Sequence, residues 1–184
     1  GIAITASHNP MPWNAMKFIN GNGMFLNNIE AREVLDIYNQ ESIHYVNEDQ
    51  CRSIKNYDNA FAVHQQRVLD NIDLKAIKKR RFKVAMDCAN GAGAPYSKDF
   101  LEALGCEVVA IHTEADGIFR RKPEPTPDAL TALEEVVKKE KCDIGFAQDP
   151  DADRLVLVNN KGQALNENYT LALAVLHLIQ NDNS

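Results

Sequence analysis

With 184 residues, 45% apolar and 25% charged, the chain has ordinary globular makeup and enough length to bury the core of one domain or two small ones. Twenty basic against 26 acidic residues leave a formal charge of −6, so no basic face is on offer and nucleic acid is not an expected partner. The four cysteines stand far apart with no Cys-x-x-Cys pair, and residues 171–179, the most apolar stretch, are too short for a bilayer; a disulfide scaffold, secretion and membrane insertion are disfavoured, and a cytoplasmic setting is expected.

The chain opens at Gly1, without Met, on the strand-like run Gly1-Ile2-Ala3-Ile4-Thr5, with nothing before it to pair with. We expect a piece of a longer protein. Ser7 follows on a polar loop with Pro10 and Pro12, past a strand end, where α/β proteins place their chemistry. Lys17-Phe18-Ile19 and Met24-Phe25-Leu26 flank Asn20-Gly21-Asn22-Gly23, a hairpin signal. Ala31, Val34, Leu35 and Tyr38 recur at helical spacing and predict a helix over 28–40. Residues 42–55 lack periodicity, which sets the expected boundary between a first segment, 1–55, and a second, 56–184. A helix over about 59–72 precedes the basic run Lys78-Lys79-Arg80-Arg81, read as a solvated helix end.

From residue 82 strands and helices alternate: strands at 82–87, 107–111 and 143–147, helices at 95–104 and 127–139, the last with Leu130, Leu133, Val136 and Val137 inward. The expected fold class is α/β, a mainly parallel sheet covered by helices in βαβαβ order, preceded by an incomplete α/β domain. Residues 155–158 with the turn Asn159-Asn160-Lys161-Gly162 predict a short hairpin, and residues 167–179 a buried closing helix.

Asp149-Pro150-Asp151-Ala152-Asp153-Arg154 sets three carboxylates at alternate positions after a buried strand. Hard divalent cations take oxygen ligands, and three anions this close repel without one. An EF-hand is ruled out, because its sixth and twelfth positions would be Arg154 and Asn160 rather than Gly and Glu. In Thr5-Ala6-Ser7-His8-Asn9-Pro10, followed by Asn14 and Lys17, Ser7 can act as nucleophile or phosphate carrier and Lys17 can supply a proton or positive charge. Asn90-Gly91-Ala92-Gly93 lacks the Lys-Ser/Thr of a P-loop and the full dinucleotide fingerprint. Tight strand-to-helix geometry explains it better.

Together the Ser7 loop, Asn14, Lys17, the turn at 87–93, Pro123-Glu124-Pro125-Thr126-Pro127 and the 149–154 loop resemble the α-D-phosphohexomutases, the superfamily of phosphoglucomutase, phosphomannomutase and phosphoglucosamine mutase. The resemblance implies that Ser7 carries a phosphoryl group and that Mg²⁺ is held by Asp149, Asp151, Asp153 and an oxygen of phosphorylated Ser7. It gives Lys17 acid/base work and Arg154 the task of steadying the phosphorylated loop. Hexose phosphates and bisphosphates are the implied substrates, and further mutase domains the implied partners. The chain departs from the family pattern at Ala15 and Pro150, where Gly is usual, and holds no Gly-Glu-x-Ser-Gly-His segment; by itself it is expected to be inactive. A haloacid-dehalogenase-like phosphatase, with an Asp nucleophile, and a non-catalytic phosphosugar-binding module are the alternatives.

Overall fold

The computed structural model describes residues 1–41 and 43–181. Ser42, at the head of the expected boundary, and residues 182–184, at the end of the second segment, lie outside them. The chain divides into two compact units, Gly1–Ala6 with Asn14–Ala60, and Ser7–Trp13 with Phe61–Ser184.

In the first unit β1 (Ile2–Ile4) pairs antiparallel with β2 (Met16–Phe18), Ala3 opposite Lys17. The opening run therefore has a partner, supplied downstream where the chain doubles back, which corrects the expectation of an unpaired strand. The predicted turn forms at Asn20, whose side-chain oxygen accepts from the amides of Asn22 and Met24 at 3.0 and 3.2 Å. Only one bridge, Ile19 to Phe25, continues the hairpin. α1 (Asn28–Asn39) starts at a capping box: the Asn27 side chain accepts from the amides of Ile29 and Glu30, while the Glu30 carboxylate accepts from the Asn27 amide at 2.9 Å.

In the second unit the helix expected over 59–72 is α2 (Ala60–Leu69), and a separate α3 (Leu74–Arg80) begins where the Asp73 carboxylate accepts from the Ala76 amide at 3.0 Å. Its basic end is exposed. The sheet that follows contains β3 (Lys83–Asp87), β4 (Glu107–Ile111), β5 (Ile144–Gln148) and β6 (Leu155–Asn159) in the order β4-β3-β5-β6. β3 is parallel to both β4 and β5. α4 (Ser97–Ala103) and α5 (Thr131–Glu140) complete the βαβ crossovers. Leu133 and Val137 of α5, with Leu130 before it, bury against Ala85, Ala147, Val156 and Val158; a second cluster gathers Met86, Cys88 and Ala94 with Leu101 and Phe146.

The short hairpin expected at 155–162 forms: the Gly162 amide donates to the Asn159 carbonyl at 2.8 Å, the Leu165 amide to the Leu157 carbonyl at 2.8 Å, and Val158 bridges Ala164. β6 also pairs antiparallel with β5 along its whole length. Residues 149–154 are the loop of this second hairpin, because a short loop between successive strands returns the chain antiparallel. α6 (Asn168–Asn181) is exposed rather than buried, with Leu171 68% and Leu178 67% accessible. A helix apolar on every side needs cover on every side. α5 already packs on the sheet face of Ala85 and Val158, and α6 is tied near β6, where the Thr170 hydroxyl donates to the Leu155 carbonyl at 2.6 Å. Among the described residues no helix is long and apolar enough to cross a membrane.

Candidate functional site

At the end of β5 the chain turns through residues 149–154 into β6. Carboxylate oxygens of Asp149, Asp151 and Asp153 all lie within 4.8 Å of one another. Asp149 is fully buried, Asp151 half-buried and Asp153 exposed. The curl is held by the Ala152 amide, which donates to the Asp149 carbonyl at 3.1 Å, and by the Arg154 amide, which donates to Asp149 Oδ1 at 3.1 Å. Ala152 takes a left-handed backbone, φ 60°, the sort of local strain that collects at functional loops. Burial pushes the Asp149 carboxyl up to about 6; the Arg154 amide opposes this, while the hydrogen bond and charge of Asp151 and the charge of Asp153 add to it. An all-carboxylate oxygen set with concentrated like charge fits a hard divalent cation such as Mg²⁺.

The Ser7–Trp13 stretch clusters with this unit. Ser7 has φ 53°, and its Oγ donates to Asp149 Oδ2 at 3.5 Å across 142 residues of sequence. Oγ also lies 3.2 Å from His8 Nδ1, while His8 Nε2 lies 3.4 Å from Arg154 Nη2. A guanidinium only donates, so Nε2 must accept and Nδ1 must carry the proton. The bonds then run in one direction, from Arg154 through His8 and Ser7 to Asp149. Arg154 Nη1 also pairs with Glu124 at 3.2 Å. Lys17 belongs to the first unit, on β2, with Nζ 6.0 Å from the centre of the Phe25 ring.

Sequence reasoning missed the groups that support this loop. Asp87, at the end of β3 and fully buried, accepts from the Ala89 amide at 2.9 Å and from Arg121 Nε at 2.8 Å, and its Oδ1 lies 3.1 Å from His112 Nδ1. A carboxylate ending an apolar strand was the available signal, since it needs a partner once buried. The Ala92 amide donates to the Pro150 carbonyl at 2.7 Å, so the glycine turn at 90–93 abuts the acidic loop.

The comparison with known families decides the kinship. Residues 62–162 match phosphoglucomutase/phosphomannomutase alpha/beta/alpha domain II, and residues 1–44 match alpha/beta/alpha domain I. The chain belongs to the phosphoglucomutase/phosphomannomutase family. It is 36% identical over 174 residues to the phosphoglucomutase/phosphomannomutase of Thermococcus kodakarensis, covering 94% of this chain and 38% of that one. With the phosphoglucosamine/phosphogalactosamine mutase of Sulfurisphaera tokodaii it shares 34% over 165 residues, covering 89% of this chain and 36% of the relative. A crystal structure of a phosphoglucomutase/phosphomannomutase family protein from Burkholderia thailandensis superimposes with a TM-score of 0.76 at 28% identity, over 98% of this chain and 38% of that one. The chain thus spans well under half the length of these mutase relatives.

Proposed function

We propose that this chain is the phosphoryl-carrying and metal-binding part of a cytoplasmic phosphohexomutase that moves a phosphoryl group between the C1 and C6 positions of a hexose phosphate. Residues 1–55 form the end of the first mutase domain and residues 56–184 the second, with further domains completing the substrate cleft. Ser7 is the carrier. In one half-reaction the bond from phosphorus to Ser7 Oγ breaks, a bond from phosphorus to a sugar hydroxyl oxygen forms, and the hydroxyl proton leaves. Lys17 serves as the acid/base group for that proton, and the opposite phosphate of the bisphosphate then returns to Ser7. Asp149, Asp151 and Asp153, with an oxygen of phosphorylated Ser7, would hold Mg²⁺, which when bound neutralises phosphoryl charge. Arg154 steadies the serine loop through His8. The relatives' names include glucosamine, galactosamine and mannose, so the proposal stops at hexose phosphates.

The approach of Ser7 Oγ to Asp149 at 3.5 Å carries this reading, because it brings a serine hydroxyl from 142 residues away to the edge of the three-carboxylate cluster, where a cation held by the aspartates would also reach a phosphoryl group on Oγ. The test is intact-mass measurement of the parent protein and of Ser7→Ala after incubation with a hexose bisphosphate. One added phosphoryl group on the parent, none on the variant and loss of turnover are expected. Equal phosphorylation of both would move the carrier to an aspartate, as in the dehalogenase-like phosphatases.

A further inference from the structure

We infer that Arg121 is a positioning residue for the acidic loop: its guanidinium ties the residue that enters loop 149–154 to the end of β3, and cation affinity depends on that tie. The inference rests on the metal-binding reading of the loop.

The Arg121 side chain is 6% exposed and Asp87, its ion partner, is fully buried. Nε donates to Asp87 Oδ2 at 2.8 Å, which leaves the rest of the fork for backbone. Nη2 donates at 2.5 Å to the carbonyl of Gln148, the residue before Asp149. Nη1 donates to the carbonyls of Lys122 and Pro123 at 3.0 and 3.3 Å. The next residue, Glu124, pairs with Arg154 at the far end of the loop. One planar group thus sets where the loop leaves β5 and also holds the backbone just before Glu124, whose carboxylate meets Arg154 at the loop's far end. A lysine would keep the charge yet lose the fork, because a single ammonium cannot reproduce fixed, divergent donors. Partners that orient metal ligands from behind are typically worth about 10- to 100-fold in metal affinity.

The test uses the 184-residue chain with Mn²⁺ as the spectroscopic probe, comparing wild type, Arg121→Lys and, as an exposed neighbour, Arg120→Lys. Free Mn²⁺ is followed by electron paramagnetic resonance, and amide exchange is followed in metal-free protein. Arg121→Lys is expected to bind Mn²⁺ about tenfold or more weakly, with faster exchange at the Ala152 and Arg154 amides and unchanged exchange at Val109 in β4. Arg120→Lys is expected to match wild type. A lower melting temperature in Arg121→Lys with wild-type Mn²⁺ affinity and loop exchange would make Arg121 a structural ion pair only and overturn the inference. No saturable Mn²⁺ binding by wild type would remove the metal-loop reading and the inference with it, a separate outcome. Where Arg121→Lys does not fold, Asp87→Asn, which keeps the side chain's size but removes its charge and one of its two accepting oxygens, is held to the same expectations.

Discussion

At Gly91 the smallest possible side chain decides the position of the acidic loop. A β-carbon there would stand 2.7 Å from Pro150 Cα and 2.9 Å from its carbonyl carbon, and would collide with the carbonyl oxygen. These are backbone atoms, which cannot swing aside. Gly91→Ala is expected to destabilise the chain by about 1–3 kcal/mol and to weaken Mn²⁺ binding, read by urea unfolding and by the same resonance titration. Cys88 makes a second prediction. Burial, with the charge of Asp87 adding, pushes its thiol from 9.0 up to about 11. The folded state therefore keeps a proton that the unfolded chain gives up between those values, so stability must fall as pH rises from about 9 to about 11 and level off above. Urea midpoints at pH 8 and 10.5, in wild type and Cys88→Ala, measure this, with a smaller fall in the variant. Iodoacetamide at pH 8 is expected to label exposed Cys51 long before Cys88.

Among the elements, α5 and α6 differ in pattern and in what covers them. Leu133 is fully buried against the sheet, so Leu133→Ala is expected to cost about 2–5 kcal/mol. Leu176 on α6 is 48% exposed, and Leu176→Gln is expected to shift stability by no more than about 0.5 kcal/mol in this chain; paired urea melts compare the two. The spacing of Leu130, Leu133 and Val137 revealed which side of α5 faces inward, because periodicity encodes a face directly. For α6 the apolar residues run all the way round, a pattern that demands cover without naming it. The 149–154 acidic run and the Ser7 loop were legible from short motifs. The Asp87–Arg121 pair was not, since 34 residues separate its members and nothing local marks them as neighbours. The pairing of β6 with β5 is hidden for a related reason: a strand has two edges, and the turn at 159–162 marks the partner of only one of them.

For the molecule as a whole, coverage governs what can be expected of it. The chain spans about 40% of the Methanococcoides burtonii relative that it matches. A mutase must grip the sugar's second phosphate and its hydroxyls so that remote binding energy aligns the reacting oxygen. This chain holds Ser7, the proposed carrier, and the acidic loop. In a coupled assay with glucose 1-phosphate, mannose 1-phosphate and glucosamine 6-phosphate it is expected to give no turnover; a rate on the order of 1 s⁻¹ would place the sugar site within these 184 residues. The folding order of the second unit adds a further consequence. β5 and β6 are joined directly by the loop at 149–154, whereas β3 finds β4 and β5 only after a crossover. Local pairings close sooner than distant ones. The three carboxylates are therefore expected to come together in that local hairpin whether or not Arg121 has docked, so that their mutual repulsion would slow its closure. A divalent cation at that loop is expected to ease the repulsion and speed refolding, which stopped-flow refolding with and without Mn²⁺ measures.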